Sequence, residues 1–148
     1  IKMIVNENIE LIKRKVDQKN IELKTEIPEK IVAYADEDMI KTVIRNLLSN
    51  AVKFTPENGQ IEISAQSEND EIIFKIKDSG VGIDPKDLPK LFRIDQHHTT
   101  PGLSNEKGSG LGLILCKEFI EKNGGTITID SKPKKGTSIT FTLRKYSA

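Results

Sequence analysis

Three polar residues at helical spacing form the first group in the sequence that could do chemistry. Asn46, Asn50 and Lys53 are separated by four and then three positions, which places them on one stripe of a helix. An amide oxygen is a hard ligand that suits Mg²⁺, which also keeps waters and binds phosphate oxygens. A lysine one turn further along can reach a phosphate as a point charge. The same spacing also fits a plain solvated polar face, so both interpretations stay open.

A carboxylate follows an apolar residue at every second position of a predicted strand. Ile72, Phe74 and Ile76 share one face, and continuing the pattern puts Asp78 on that buried face. A buried, ionised carboxylate is costly unless it accepts hydrogen bonds, and the exocyclic amine of a base could donate one. Gly80 and Gly82 would let the chain turn and a flat ring approach. The alternative is an Asp-Gly turn in which the side chain caps its own backbone.

A glycine-rich segment, 108–113, precedes a predicted helix. Glycines that open a helix present free N–H groups and the positive end of the helix dipole to an anion. The segment is not a Walker A loop, because no lysine and hydroxyl follow Gly112. It is a poor dinucleotide fingerprint, because a loop precedes it. Alone it is equally a tight turn, and Gly136-Thr137, at the start of the last predicted strand, is individually uninformative.

The elements that must position these groups follow from apolar periodicity and from capping residues. Helices are predicted at 1–19, from the N-cap Asp36 to Phe54, and at 109–122. Strands are predicted at 21–27, 31–35, 61–65, 72–76, 127–129 and 138–144. This order, with alternating strands, predicts an α+β fold that stacks its helices on one face of a mostly antiparallel sheet.

The segment from Arg93 to Lys107 has no apolar period, and we predict a functional loop there, typical of a lid. It contains His97 and His98, which are interpreted as a solvated pair or as neighbours of a bound phosphate. Cys116, within the last predicted helix, is interpreted as a small core residue.

Composition bounds the remaining possibilities. The 148 residues suit one domain, and 23 basic against 22 acidic residues give no reason to expect nucleic acid or direct membrane contact. No apolar run approaches the length of a membrane span, and the lone cysteine excludes an internal disulfide. The chain begins with Ile1, so we expect a fragment of a longer protein, a cytoplasmic domain whose parent could be anchored in an inner membrane.

Taken in order, these motifs resemble those of sensor histidine kinases over residues 1–145. Asp36–Thr55, and within it Asn46–Thr55, resembles the N box. Asp78–Ile83 resembles the G1 box, Leu91-Phe92 the F box, Gly108–Leu113 the G2 box and Gly136-Thr137 the short G3 element. One departure concerns the F box, whose usual second phenylalanine is replaced by Ile94 or by nothing.

The resemblance implies a Bergerat-type two-layer α/β sandwich with a mixed, mostly antiparallel sheet, helices on one face and a long ATP lid. It implies that Asn50 coordinates magnesium, that Asp78 contacts the adenine amine, and that Asn46, Asn50 and Lys53 serve catalysis. The implied nucleotide-binding positions are Asn46, Asn50, Lys53, Phe54, Asp78, Gly80, Gly82, Ile83, Gly108, Gly110, Leu111, Gly112 and Thr137.

The implied activity is binding of Mg²⁺ and ATP, followed by transfer of the γ-phosphoryl group to a histidine on an upstream dimerisation helix. The implied partners are that helical domain and the receiver domain of a response regulator. An ATP hydrolase or serine kinase of the same fold is the first alternative. In those families a glutamate usually stands where this chain has Asn46, and an amide cannot take a proton. A non-catalytic nucleotide-binding module is the second alternative.

Overall fold

The computed structural model describes residues 1–83 and 112–146. The described helices are α1 (Lys2–Gln18), α2 (Glu37–Phe54) and α3 (Gly112–Lys122). The described strands are β1 (Glu22–Glu26), β2 (Ala33–Tyr34), β3 (Gln60–Glu68), β4 (Glu71–Asp78), β5 (Ile127–Lys132) and β6 (Gly136–Lys145). The predicted order of elements is confirmed for these ranges. The predicted lid, the F box, Ile94, His97, His98, Gly108, Gly110 and Leu111 lie outside the described residues.

The six strands form one sheet in the order β1-β3-β4-β6-β2, and β5 also pairs with β6. β1 runs parallel to β3, and the other described pairings are antiparallel. The mixed, mostly antiparallel sheet is therefore confirmed. Because β4 and β6 are antiparallel, the C-terminal end of β4 lies beside the N-terminal end of β6, with Asp78 opposite Thr137.

The helix α2 begins and ends where local chemistry dictates. Asp36 is its N-cap, and the Asp36 carboxylate accepts a hydrogen bond of 3.0 Å from the Met39 N–H. Thr55 is in an extended conformation, as expected for a residue before Pro56. The buried face of α2 consists of Ile40, Val43, Ile44, Leu47, Leu48, Ala51 and Val52.

All three described helices cover one face of the sheet, with α2 between α1 and α3. The buried residues of β4 and β6 meet the helices, and the rings of Phe74 and Phe141 stack with their centroids 4.7 Å apart. This two-layer α+β arrangement is the one that the alternating strands predicted. No helix in the described ranges is both long and apolar enough to cross a bilayer.

A buried lysine ties the end of α1 to the end of α2. The Lys19 side chain, 8% exposed, donates hydrogen bonds to the carbonyl oxygens of Val52 (2.7 Å), Lys53 (3.3 Å) and Thr55 (3.4 Å). The last carbonyls of a helix lack intrahelical partners, and a cation is favourable at that end of the helix dipole. The carbonyl oxygen of Lys19 in turn accepts a hydrogen bond of 2.8 Å from the Asn58 N–H. The sequence did not predict this cap.

We expect Lys19→Met to lower the free energy of unfolding by about 2 kcal/mol, because it leaves buried carbonyl oxygens at the end of α2 without a donor. Methionine keeps most of the aliphatic stem, so the loss reports the ammonium group. Urea denaturation followed by circular dichroism measures the change. Lys13→Met, at an exposed position of α1, is the matched control. Equal stability of the two variants would contradict the capping role.

Candidate functional site

The polar stripe predicted from spacing lies on α2. Asn46, Asn50 and Lys53 are all half-buried at the border of the buried face, whereas Arg45 and Ser49 are exposed. Their position at the border holds the amide groups near the edge of the core without covering them. The result is a row of two amides and one ammonium group that a ligand can reach from the side of α2.

The first residue of this stripe contacts the beginning of α3. A Cβ placed on Gly112 would lie 3.8 Å from Cγ of Asn46, an ordinary van der Waals distance, so the start of α3 packs beside Asn46. The thiol of Cys116 is fully buried; it donates a hydrogen bond of 3.8 Å to the Val43 carbonyl oxygen and lies within reach of the Asn46 side chain. Burial raises the pKa of Cys116 to about 12, so the thiol is an unreactive core group, as predicted. Asn46 therefore connects the polar stripe of α2 to α3.

The last residue of α2 contacts the turn that follows β4. The Phe54 carbonyl oxygen accepts a hydrogen bond of 3.3 Å from the Val81 N–H, and a Cβ on Gly80 would overlap with this same oxygen. A glycine at position 80 is therefore a packing requirement. Lys53 extends its ammonium group to 5.2 Å from the centroid of the Phe54 ring. The α2 stripe and the turn at 78–83 are consequently held in direct contact.

The turn itself requires a second glycine for a different reason. Gly82 has a φ of +74°, and a Cβ there would overlap with the carbonyl of Lys132. Next to it, the Lys134 N–H donates a hydrogen bond of 2.7 Å to the Val81 carbonyl oxygen. These contacts fasten the turn to the hairpin between β5 and β6. The turn is therefore positioned by both layers of the fold.

Asp78 is buried, as the alternation predicted, with 8% of its surface exposed. Its Oδ1 accepts a hydrogen bond of 2.8 Å from the Gly80 N–H, so the Asp-Gly turn considered as the alternative is also present. The burial of Asp78 is therefore confirmed, and its contact with the amine of a base stays a prediction. Burial raises the pKa of Asp78 to about 6, and hydrogen bonds from the backbone N–H groups of Gly80 and Thr137 limit the rise.

Two side chains on neighbouring strands extend the polar row that begins at Asp78. Asp78 in β4 lies opposite Thr137 in β6, and Thr137 lies opposite Ser131 in β5. The Ser131 hydroxyl accepts a hydrogen bond of 2.8 Å from the Ile83 N–H, which holds the end of the turn against the sheet. The sequence reasoning missed Ser131. The signal was available, because Ile127 and Ile129 alternate and the next residue on their face is Ser131.

Contacts thus join most of the predicted site residues that are described. α2 is linked to Gly112 through Asn46 and to the 78–83 turn through Phe54, and the turn is linked to Thr137 through Asp78. Gly108, Gly110 and Leu111 lie outside the described residues. The arrangement combines amide oxygens and an ammonium group on one helix with a buried acceptor at the end of the sheet. It suits a ligand with an anionic end and a hydrogen-bond-donating end.

Comparison with known proteins gives this arrangement a family. The model of the histidine kinase-, DNA gyrase B- and HSP90-like ATPases matches residues 35–147. The adaptive-response sensory kinase SasA of Synechocystis sp. (strain PCC 6803) is 36% identical over 145 residues, which are 97% of this chain but 37% of SasA. The chain therefore spans little more than a third of that relative.

Two solved structures share the fold. The nucleotide-free catalytic domain of histidine kinase ThkA has a TM-score of 0.84 at 28% identity, over 98% of this chain and 92% of that domain. Histidine kinase ThkA in complex with response regulator protein TrrA has a TM-score of 0.77 at 26% identity, over 99% of this chain and 40% of that one. The chain therefore belongs to the histidine kinase-, DNA gyrase B- and HSP90-like ATPase family, and it matches the ATP-binding domain of a sensor histidine kinase.

Proposed function

We propose that this domain binds ATP with Mg²⁺ and donates the γ-phosphoryl group to a histidine on a helical dimerisation domain outside residues 1–148. This transfer would be the first step of two-component signalling. The observation that carries the proposal is the contact between the α2 stripe and the 78–83 turn through the Phe54 carbonyl oxygen. It sets phosphate-binding groups and a base-binding group side by side in a member of an ATP-binding family.

The adenine end of the nucleotide is assigned to Asp78. The Asp78 carboxylate is buried and holds one backbone N–H through Oδ1, so it retains acceptor capacity for a further donor. The adenine amine would supply that donor. Gly80 and Gly82 let the turn pack against the Phe54 and Lys132 carbonyls and so hold the carboxylate in place, and Ile83 continues the half-buried wall.

The phosphate end is assigned to α2. Asn50 offers an amide oxygen of the kind that Mg²⁺ accepts, and it is half-buried beside the core. With one protein oxygen, the ion would complete its coordination with phosphate oxygens and water, and it would neutralise charge on the phosphates. Lys53, one turn further along, would add a cation for the same phosphates. Gly112, at the start of α3, lies where free N–H groups can face an anion.

The transfer itself asks mainly for positioning and neutralised charge. Asn46 is held by Cys116 and by the approach of α3, and its amide cannot accept a proton from water. This favours an acceptor that brings its own lone pair, as a neutral imidazole does, over hydrolysis. The partners would be the histidine-bearing dimerisation domain of the parent and the receiver domain of a response regulator. The ThkA–TrrA complex supports the second partner by analogy.

The first prediction for this function tests whether the phosphate acceptor lies outside this chain. We expect the isolated domain to bind ATP but to transfer almost no phosphate until the histidine-bearing hairpin of its parent is added, because the acceptor lies outside this chain. Transfer from radiolabelled ATP, with and without the hairpin, measures it. A hairpin with its histidine changed to glutamine is the control. Strong labelling of the domain alone would sink the proposal.

The second prediction concerns the metal. Asn50→Ala removes the proposed protein ligand, so magnesium should lose most of its contribution to ATP affinity, about tenfold or more. Titration calorimetry with magnesium and with EDTA measures that contribution. Ser49→Ala, at the exposed neighbour on α2, should behave like the parent. An Asn50→Ala variant with unchanged magnesium dependence would show that the ligand lies elsewhere.

The third prediction concerns pH. Because the pKa of Asp78 is raised to about 6, the carboxylate becomes protonated as pH falls through that value and loses its acceptor strength. The ATP affinity should fall below pH 6, by up to about tenfold per pH unit. Asp78→Asn should bind ATP more weakly by roughly 1–3 kcal/mol at neutral pH and should prefer ATP over GTP less than the parent does.

The variant also removes the titration of Asp78 and so separates it from that of ATP. The difference in affinity between the parent and Asp78→Asn should be constant above pH 6 and should shrink below it. The stability of the nucleotide-free protein should change in the opposite direction. A raised pKa means that ionised Asp78 costs folding free energy above pH 6, and that this cost disappears as pH falls towards 3.8. A pH-independent difference in both quantities would contradict the assignment.

A further inference from the structure

The polar row beyond Asp78 has a feature that neither the fold nor phosphate binding requires. Residues directly opposite each other in a sheet point to the same face, so Asp78, Thr137 and Ser131 form one row on the side that meets the helices. The neighbouring row on that face is apolar: Ile76, Ile139 and Ile129. The polar row therefore marks the point where the core ends and the site begins.

The hydrogen bonds of Ser131 use its full capacity. A hydroxyl group has one proton to donate and two lone pairs to accept with. The Ser131 Oγ donates to the Gly136 carbonyl oxygen at 2.9 Å, accepts from the Ile83 N–H at 2.8 Å and lies 2.8 Å from the Thr137 Oγ1. A carbonyl oxygen cannot donate, so the Ser131 proton points to Gly136. The proton in the bond between the two hydroxyls must then come from Thr137.

This direction determines what Thr137 can offer to a ligand. Its only hydroxyl proton is held by Ser131, so its remaining capacity is a lone pair. Thr137 is half-buried, whereas Ser131 and Asp78 are 7% and 8% exposed, which leaves Thr137 the most accessible member of the row. Beside it stands the carboxylate of Asp78, which is also an acceptor when ionised. This edge of the site then offers acceptors and no side-chain donor.

We propose that Ser131 is a positioning residue for nucleotide selection: it holds the Thr137 hydroxyl as an acceptor, so that the edge formed by Thr137 and Asp78 selects a base with an amine rather than a carbonyl. The inference rests on the proposed function, in which the base lies against Asp78. Adenine carries an amine where guanine carries a carbonyl oxygen. In the pose of adenine, guanine would place its carbonyl oxygen against two acceptors, and a site whose buried acceptors are left unpaired rejects such an analogue strongly.

A purely structural role for Ser131 predicts a different result. Through the Ile83 N–H, Ser131 also fastens the 78–83 turn to the sheet. If that were its whole contribution, removing the hydroxyl would weaken the binding of all nucleotides equally. The ratio of ATP affinity to GTP affinity separates the two roles, because a loosened turn leaves this ratio unchanged.

Ser131→Ala is the primary test. It frees the Thr137 proton to reach a guanine carbonyl or the Asp78 carboxylate, and either change favours GTP relative to ATP. We expect the ratio of ATP affinity to GTP affinity to fall by about tenfold. Competition of ATP and GTP against a fluorescent nucleotide measures the preference. Ser138 is half-buried on the other face of β6, so Ser138→Ala is the matched control. Ser131→Thr keeps the hydroxyl group and should therefore keep the parent's preference for ATP over GTP.

A double-variant cycle tests whether Ser131 acts through Thr137. In a Thr137→Val background no hydroxyl is left to orient, so adding Ser131→Ala should no longer change the preference. A full preference in Ser131→Ala, an equal loss for both nucleotides, or a narrowing that persists with Val at position 137 would each overturn the inference. A parent domain that binds neither nucleotide would instead overturn the proposed function on which it rests.

Discussion

The close contact between the carbonyl end of α2 and the turn after β4 governs the geometry of the site. The Phe54 carbonyl oxygen lies so near Gly80 that no side chain fits there, and it accepts the Val81 N–H. This contact sets how far the amide stripe of α2 lies from the carboxylate of Asp78. The carbonyls just before and after Phe54 are held by Lys19, so the end of α1 supports the same junction. A helix end that would normally face water is thereby fastened on both sides.

The second constraint is the placement of a carboxylate on an apolar face. A sheet residue next to Ile76 and opposite Ile61 would ordinarily be apolar, and burial of Asp78 raises its pKa to about 6. The cost is limited by two backbone N–H groups and is tolerated because the residue stands at the end of its strand. Under the proposed function, ligand binding and stability oppose each other at this position. Ser131 and Thr137 place two further polar side chains in the same row, on β5 and β6.

The family relationship explains the frame but leaves the chemistry to individual side chains. Members of this family include kinases, topoisomerases and chaperones, so the fold alone does not choose a reaction. In the proposed function the choice depends on Asn46, an amide of α2 that packs beside the start of α3 and the buried thiol of Cys116. An amide does not take a proton, and this is why we propose donation of a phosphoryl group to an external nucleophile.

Local patterns in the sequence determined the elements and the burial of Asp78. Asp36 caps α2 as its type and position indicated. Ile72, Phe74 and Ile76 at every second position predicted that Asp78 lies on the buried face, because a strand has a period of two. Helical spacing likewise placed Asn46, Asn50 and Lys53 on one stripe. These features depend only on neighbours within a few positions, which is why a single sequence suffices to predict them. The resemblance of the motifs added the family and its two-layer fold.

Only the tertiary structure decided the contacts between residues that are distant in the chain. Lys19 caps a helix that ends 35 positions later, and no local pattern distinguishes it from the exposed lysines of α1. The parallel pairing of β1 with β3 depends on how α2 crosses the sheet, which spacing does not reveal. The role of Ser131 requires the register of β5 against β6, because a shift of one residue would point its hydroxyl to the opposite face. The sequence therefore identified the candidate groups of the site, and the packing of the two layers decided which of them meet.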